Sequence, residues 1–574
     1  MVEVPYRLRQ PAIAAAMEER LKRLLFASFL IGALLPGCRR GETPVPASTQ
    51  TPVSNAQNPE SGGVVVRRLE SDLNSLNMAY IGSDSEKQVL SYILDPLVDI
   101  NKSLEVVPAI AESWEISPDG RLYTFHLNKA ATFSDGKPVQ AADVLYTIRL
   151  LANPATEAAQ FSGYFESLDQ GLTKALDPYT VQIGFKTPRA SQLLAFNIGI
   201  LPQHFYTRGD FKLDFNDRVM GAGPYTLTSW ERGKQIILDK RKTYWRAKPY
   251  VDRVIFKLVP DDAVAWKALK LGNIDETSVN SDQWKFERDD PEVQKKIDLK
   301  KYYALSYNFI PWNEKNPILA DKRMRRALSM CLDRTSIINN VYFGTARIIT
   351  GPFTPDQWAY NSDVPAIPYD PQQARRILAS LGWNDTDGDG WLDKNKQPLS
   401  LDLLVSAGNS TSNLQAQIFQ DALKSIGVKL NVLRLDGATM IGRVLGGKYD
   451  AAMLAWNLDL DPDVYSYFHS SQIPPHGQNV IYYSNPAADR LIEAARTEFD
   501  QKKRLDLYHQ LHALLAEDQP YTWVVQVSLK WGVSRRIHGV EMAGGLGPYE
   551  WLPGPYDWWI PKSEQTRAAG LSAR

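Results

Sequence analysis

The sequence predicts a mixed α/β fold with more than one sheet. Three observations lead there: a strand–turn–strand pattern followed by a helix over residues 114–151, well-capped amphipathic helices in the second half, and short β-rich runs between those helices. In the first pattern Trp114 and Ile116 alternate with polar residues, and Ser117-Pro118-Asp119-Gly120 supplies turn chemistry. Tyr123, Phe125 and Leu127 then share one face of a returning strand. After a second turn at Asp135-Gly136, Val144, Leu145, Ile148 and Leu151 recur at helical spacing, giving a helix able to cover that hairpin. Further on, Asp370 caps a helix whose first residue is Pro371, with Ala374, Ile377, Leu378 and Leu381 as its apolar stripe and Gly382 at its end. Asn485-Pro486 repeats the device for a helix burying Leu491, Ile492 and Ala495. A helix from Asp500 buries Tyr508, Leu511 and Leu515. The runs Leu401–Val405, Val428–Leu433 and Ala451–Trp456 read as strands among these helices.

At 574 residues, 44% hydrophobic and 23% charged, the chain has the composition of an ordinary globular protein long enough for two or three domains. Lys plus Arg equals Asp plus Glu at 65 each, so no net field draws a polyanion, which speaks against nucleic acid as a partner. Near the N-terminus Lys22 and Arg23 precede an apolar run from Leu24 to Leu35, too short to span a bilayer comfortably. The run ends in Leu35-Pro36-Gly37-Cys38, which resembles the lipobox of bacterial lipoproteins, although Pro36 is unusual at that place. Residues 1–38 therefore read as a signal peptide starting at Met1 or Met17, with Cys38 as the lipid-anchor site. The polar stretch over residues 39–62, rich in Pro, Thr, Ser and Asn, reads as a flexible tether with an average reach of roughly 25–30 Å. With Cys38 lipidated, Cys331 is the only other cysteine, and no intramolecular disulfide can form.

Four stretches resemble the family 5 extracellular solute-binding proteins, the peptide- and nickel-binding receptors of ABC importers. The first is Ala111-Glu112-Ser113-Trp114 with Asp119-Gly120, Phe125-His126-Leu127, Phe133-Ser134-Asp135-Gly136 and Ala142-Asp143-Val144. Gly221-Ala222-Gly223-Pro224-Tyr225 with Tyr244-Trp245 and Leu271-Gly272-Asn273-Ile274-Asp275 is the second. Asn308 with Arg325, Ala327, Leu328 and Asp333-Arg334 is the third. The fourth runs from Tyr449-Asp450 through Trp456 and Asp461-Pro462 to Tyr482, Ser484-Asn485 and Asp489. The resemblance implies a two-lobed periplasmic-binding-protein-like fold with an additional inserted region and a hinge between the lobes. The first lobe would take 63–106, 219–300 and 521–560, the inserted region 107–218 and the second lobe 301–520, leaving 561–574 as a tail. It implies a lipid-anchored, extracytoplasmic, monomeric receptor that closes on a small ligand and presents it to a membrane permease.

Within that frame Asp459, by its offset from Trp456, resembles the acidic residue with which peptide-binding members hold the ligand's terminal ammonium; the alternative is a solvated loop acid. Asp461, followed by Pro462, reads as a helix N-cap. Trp456 is a candidate aromatic wall or a core residue, and Tyr307, Asn308 and Tyr80, in the loop Asn77–Ser83, match positions where family members touch ligand. Arg325 reads as a structural pair more than a carboxylate clamp, and Cys331 packs as a small apolar residue would. Asp385, Asp387, Asp389, Gly390 and Asp393 repeat the first nine positions of an EF-hand loop. Lys396 stands where the bidentate Glu belongs, so a structural calcium and a plain Asp-Gly hairpin are both open, and no other cofactor is expected.

No nucleophile elbow, phosphate-cradling glycine loop or zinc-type His-Glu-x-x-His is present, so an enzyme is not expected, a hydrolase being the residual alternative. His509 and His512, three apart on a helix, read as surface residues. Among ligands an oligopeptide or dipeptide comes first. A nickel chelate fits 7 scattered histidines less well, and an oligosaccharide would use some of the 15 tryptophans, though Trp558 and Trp559 read as core.

Overall fold

The computed structural model describes residues 58–548 and 551–568. The expected signal peptide, Cys38 and the tether up to residue 57 lie outside the described residues.

The first lobe is one end of a 10-stranded sheet. Val64–Leu69 lies parallel to Arg253–Leu258, which continues antiparallel through Gln235–Lys240 to Tyr225–Glu231. The inserted region carries its own four-stranded antiparallel sheet, with Ala111–Ile116 and Leu122–Leu127 as the expected hairpin. The helix Ala141–Ala152 buries Val144, Leu145, Ile148 and Leu151 against it. Phe125, Val144 and Ile148 of the insertion and Leu97, Leu238, Phe256 and Trp558 of the first lobe belong to one apolar core. Insertion and first lobe are therefore one packed body.

The second lobe is built on the parallel strands Ser400–Ser406, Lys429–Leu435 and Ala451–Ala452. Its helices form where the caps place them: Pro371–Ser380, with Asp370 accepting from the Gln373 N–H, Pro486–Thr497 behind Asn485, and Gln501–Asp518 behind Asp500.

The long strand Tyr521–Ser534 joins the lobes. Its first half pairs with Ser306–Pro311 and Ala346–Ile348 of the second lobe, and its second half with Ile297–Tyr303 and Glu276–Ser278 of the first. The crossing thus falls between Val527 and Ser528 rather than at Tyr521, because the strand runs on unbroken while its partners change. A second crossing lies beside it at Ala304-Leu305, and Gln526 Nε2 donates to the Ala304 carbonyl at 2.6 Å.

At the start of the interior strand Val64–Leu69, the last residues assigned to the tether are pinned. Gly62 N–H donates to the Tyr250 carbonyl at 2.8 Å, Glu60 accepts from the Lys562 N–H at 2.6 Å, and Gln565 reaches the Ser61 carbonyl. The segment Lys562–Ala568, read as a tail, forms a short helical clasp over them.

Candidate functional site

The strand Leu454–Asn457 pairs antiparallel with Ser306–Pro311, so Trp456 faces Tyr307 and Ala455 faces Asn308. The chain then turns into the loop Leu458–Asp463. Leu458 N–H donates to the Leu305 carbonyl at 2.7 Å, and the Asp459 carbonyl accepts from Gln357 Nε2 at 3.2 Å. The loop is therefore rooted on the crossing strand, at the hinge.

The three aspartates of this loop have separate fates. Asp461 is buried and takes a bidentate pair from Arg504, both contacts at 2.7 Å. Burial opposes the charge on Arg504, but Asp461 outweighs it and holds the guanidinium above its ordinary pKa. The N-cap expectation for Asp461 is corrected: the next helix is Tyr465–Phe468 with Val464 at its cap, and Asp461 is structural through an ion pair. Asp463 Oδ2 receives Arg496 Nε at 3.0 Å and, from the inserted region, Arg189 Nη2 at 3.3 Å, while Oδ1 accepts from the Tyr465 N–H. Asp459 is exposed, and among the described residues nothing bonds its carboxylate. The surrounding protein mass raises its pKa, Arg189 pulls it back, and Asp463 and Asp461 add to the rise.

Opposite this loop stands the inserted region. Arg189 comes to the loop from that region through its 3.3 Å contact with Asp463, four positions from Asp459, and the Asp459 charge adds to the raised pKa of Tyr164. Beside them the turn at Gly120 abuts Phe499 of the second lobe: a Cβ on Gly120 would lie 2.2 Å from the Phe499 ring, and its φ of +67° is a glycine conformation.

Trp456 packs on Phe309, centroids 5.5 Å apart, and on Tyr467 at 4.6 Å, leaving it half-buried at the margin of the site. Tyr307 is only 1% exposed, so the expectation that it touches ligand is withdrawn: it points into the core that the last two helices cover. Asn308, on the opposite face, is half-buried and donates to the Tyr342 hydroxyl at 3.2 Å, which Gln415 also reaches at 2.9 Å. Tyr80 is half-buried away from this group, its hydroxyl donating to the Thr156 carbonyl at 2.8 Å. The structure thus brings Trp456, Asn308 and Asp459 to one end of the strands Leu454–Asn457 and Ser306–Pro311, with Asp463, the third aspartate crowded into the loop after Trp456, beside them, and adds Arg189, which no local sequence mark had singled out.

Other candidates resolve as structural. Arg325 is buried, donates to the carbonyls of Leu319, Asp518 and Gln519, and pairs with Glu314 at 3.2 Å. Burial pushes the Cys331 thiol up to about 12, the behaviour of an apolar filler. Gly221 and Gly223 let their backbone approach Ile93. Asp275 clamps Arg536 at 2.6 Å and the Val66 N–H at 2.7 Å. His512 is fully buried, correcting its surface reading. Its Nδ1 accepts from the Asn361 N–H at 3.1 Å and its Nε2 bonds the Thr350 hydroxyl at 3.0 Å, and burial with His509 nearby pushes it down to about 4. In the acidic loop the ligand atoms of Asp385, Asp387 and Asp393 lie within 4.8 Å of one another. Asp389 is not in that group; its Oδ1 turns back to the Trp391 N–H at 2.8 Å. Pockets of about 240 Å³ at Asp298–Val540 and about 380 Å³ at Ala142–Gln203 lie on other residues than this loop.

An α/β body of two lobes crossed by two strands, with an unpaired carboxylate where the crossing meets the second lobe, defines a bilobed solute receptor. The chain belongs to the bacterial extracellular solute-binding proteins, family 5, whose Middle model matches residues 105–478. It is 29% identical over 559 residues, 95% of this chain and 100% of the relative, to the oligopeptide-binding protein AppA of Bacillus subtilis (strain 168). The solved structure of AppA from Bacillus subtilis in complex with a nonapeptide superposes with a TM-score of 0.68 at 28% identity, covering 88% of this chain and 100% of that one. NikZ of Campylobacter jejuni in complex with Ni(L-His) shares the fold, with a TM-score of 0.70 at 24% identity over 86% of this chain and 99% of that one. No helix among the described residues is long and apolar enough to cross a membrane.

Proposed function

We propose that this protein is the peptide-capturing receptor of an ABC importer, holding the ligand's N-terminal ammonium on Asp459 between the lobes and presenting the closed form to a membrane permease. One observation carries the reading. Of the three loop carboxylates, Asp461 and Asp463 are neutralised by Arg504, Arg496 and Arg189, and Asp459 alone is exposed and unbonded among the described residues. An exposed carboxylate without a partner, fixed at the hinge, favours an incoming cation that can donate hydrogen bonds, and a peptide ammonium does both. The oligopeptide receptor and nonapeptide complex among the relatives support the ligand class. In this reading the protein works as a monomer without turnover, Cys38 carries a lipid, and residues 39–57 form the tether. Asp385, Asp387 and Asp393 hold a calcium ion that stiffens their loop.

The test is mass spectrometry of small molecules co-purifying with residues 39–574, then peptide affinity of Asp459→Asn. Peptides are expected to co-purify, and the substitution is expected to weaken binding at least about 30-fold, from roughly 2 kcal/mol or more for a desolvated charge pair. Undiminished affinity in the variant would remove Asp459 from the site.

A further inference from the structure

The inserted region shares its core with the first lobe, so its contacts with the second lobe lie across the moving cleft. Arg189 makes the charged one. Its carbonyl is held inside the insertion by the Tyr123 hydroxyl at 3.2 Å and the Gln192 N–H at 3.0 Å, and its side chain reaches out to Asp463 Oδ2. That oxygen is already taken by Arg496, and the grip is partial: at 3.3 Å it uses one guanidinium nitrogen, while buried Nε has no acceptor. A guanidinium offers five N–H groups, so a shift toward Asp463 would add bonds. The apolar half of the same contact is Phe499 against Gly120.

We propose that Arg189 is a positioning residue for ligand capture, standing opposite Asp459 while gripping Asp463, so that an ammonium arriving on Asp459 drives the guanidinium onto Asp463 and draws the inserted region and second lobe together. The inference rests on the reading of Asp459 as the ammonium site. An empty Asp459 attracts Arg189, and a filled one no longer does. The ligand's charge thereby converts a partial bridge across the cleft into a full one, which couples occupancy to closure. The charged and titratable groups whose electrostatics couple to Asp459 are Arg189 and Tyr164 from the insertion, Asp461 and Asp463 on its own loop, and Tyr467 from the helix that follows, and Arg189 is tied to the loop by its bond to Asp463. Among the described residues Arg189 is the cation that lowers its pKa.

The experiment uses the purified protein, a tryptic casein digest as probe and the same digest N-acetylated as control, with apparent affinity followed from pH 4 to 8 and compaction read by small-angle scattering. Wild type is expected to bind and compact with the free digest alone. Arg189→Met is expected to bind about 10-fold more weakly, to show little compaction, and to move the acid midpoint of binding upward by about one pH unit, since an opposite charge at this range shifts a carboxyl by that order. Arg189→Lys is expected to restore the midpoint. If Arg189→Met does not fold, Asp463→Asn removes the grip from the other side and is expected to lose the compaction. A wild-type midpoint and wild-type compaction in the variants, with binding still abolished by Asp459→Asn, would overturn the role of Arg189 alone. Weaker binding with an unmoved midpoint would do the same, since a structural contact loosens affinity without touching the titration. Equal binding of both digests by wild type would sink the Asp459 reading and this inference with it.

Discussion

Replacing Arg504 with Met tests the interior of the ligand loop. The substitution removes both 2.7 Å contacts to Asp461 and also the bonds to the Ala495 carbonyl at 2.8 Å and the Tyr508 hydroxyl at 3.1 Å. Asp461 is then a buried carboxylate without a counter-charge, next to Asp463 and Asp459. Breaking a buried pair from one side costs about 3–5 kcal/mol, because the partner's desolvation is left uncompensated. If the second lobe, residues 301–527, melts as a unit with about 2.1 cal/mol/K of unfolding entropy per residue, that cost lowers its Tm by roughly 6–11 °C. Differential scanning calorimetry reads the shift. The double variant Arg504→Met with Asp461→Leu is expected to recover most of it, since an apolar pair of similar bulk no longer strands a charge. A Tm loss below about 2 °C in the single variant, or a double variant no more stable than the single, would refute the claim that Asp461 is held by charge compensation.

Acid should unfold the second lobe partly through His512. Its pKa is pushed down to about 4 in the fold against an ordinary value near 6.5, so the stabilisation is complete above pH 6.5 and is lost as pH falls toward 4, to on the order of 3 kcal/mol. His512→Gln is expected to flatten that limb of stability against pH, and an unchanged limb would mean that the ring protonates without leaving its pocket. Millimolar calcium is expected to raise Tm with a dissociation constant of about 10⁻⁴–10⁻³ M, as for weak extracellular loops, and Asp387→Ala should abolish the effect. Equal Tm in calcium and chelator would mean that the turn's own bonds, such as Asp385 to the Gly388 N–H at 2.8 Å, suffice. Gly221→Ala would place a Cβ 2.2 Å from the Ile93 carbonyl and is expected to cost about 1–3 kcal/mol or more, whereas Gly442→Ala, in an exposed helical turn with nothing within 4 Å, should stabilise by about 0.5–1 kcal/mol. Chemical denaturation separates the two, and equal effects would contradict the close approach at Gly221.

Features whose physics is local were legible in the sequence. The caps at Asp370, Asn485 and Asp500 and the hairpin before Leu127 depend on residues a few positions apart, and each stands where its pattern placed it. Asp461 misled because Asp-Pro is also a local helix-start pattern, whereas its partner Arg504 lies 43 residues further on. His512 carried a signal that was passed over: with Arg504, Tyr508, Leu511 and Leu515 it completes a buried stripe at helical spacing. Tyr307 was matched by position, but alternation along its strand turns it inward and Asn308 the other way. The crossing inside Tyr521–Ser534 leaves no trace in those residues, since a strand does not record which neighbours it has. Arg189 meets Asp463 across 274 positions, and only the folded arrangement joins them.

The clasp of Lys562–Gln565 over Glu60–Gly63 decides where force enters the molecule. Any pull carried by the chain ahead of these residues arrives at the start of Val64–Leu69, an interior strand of the first lobe, and spreads into the sheet through its neighbours Arg253–Leu258 and Glu276–Ser278 before it reaches a crossing strand. The second lobe hangs mechanically downstream of the hinge. Its swing is thus governed by what sits in the cleft and is left undisturbed by a pull entering at Glu60–Gly63.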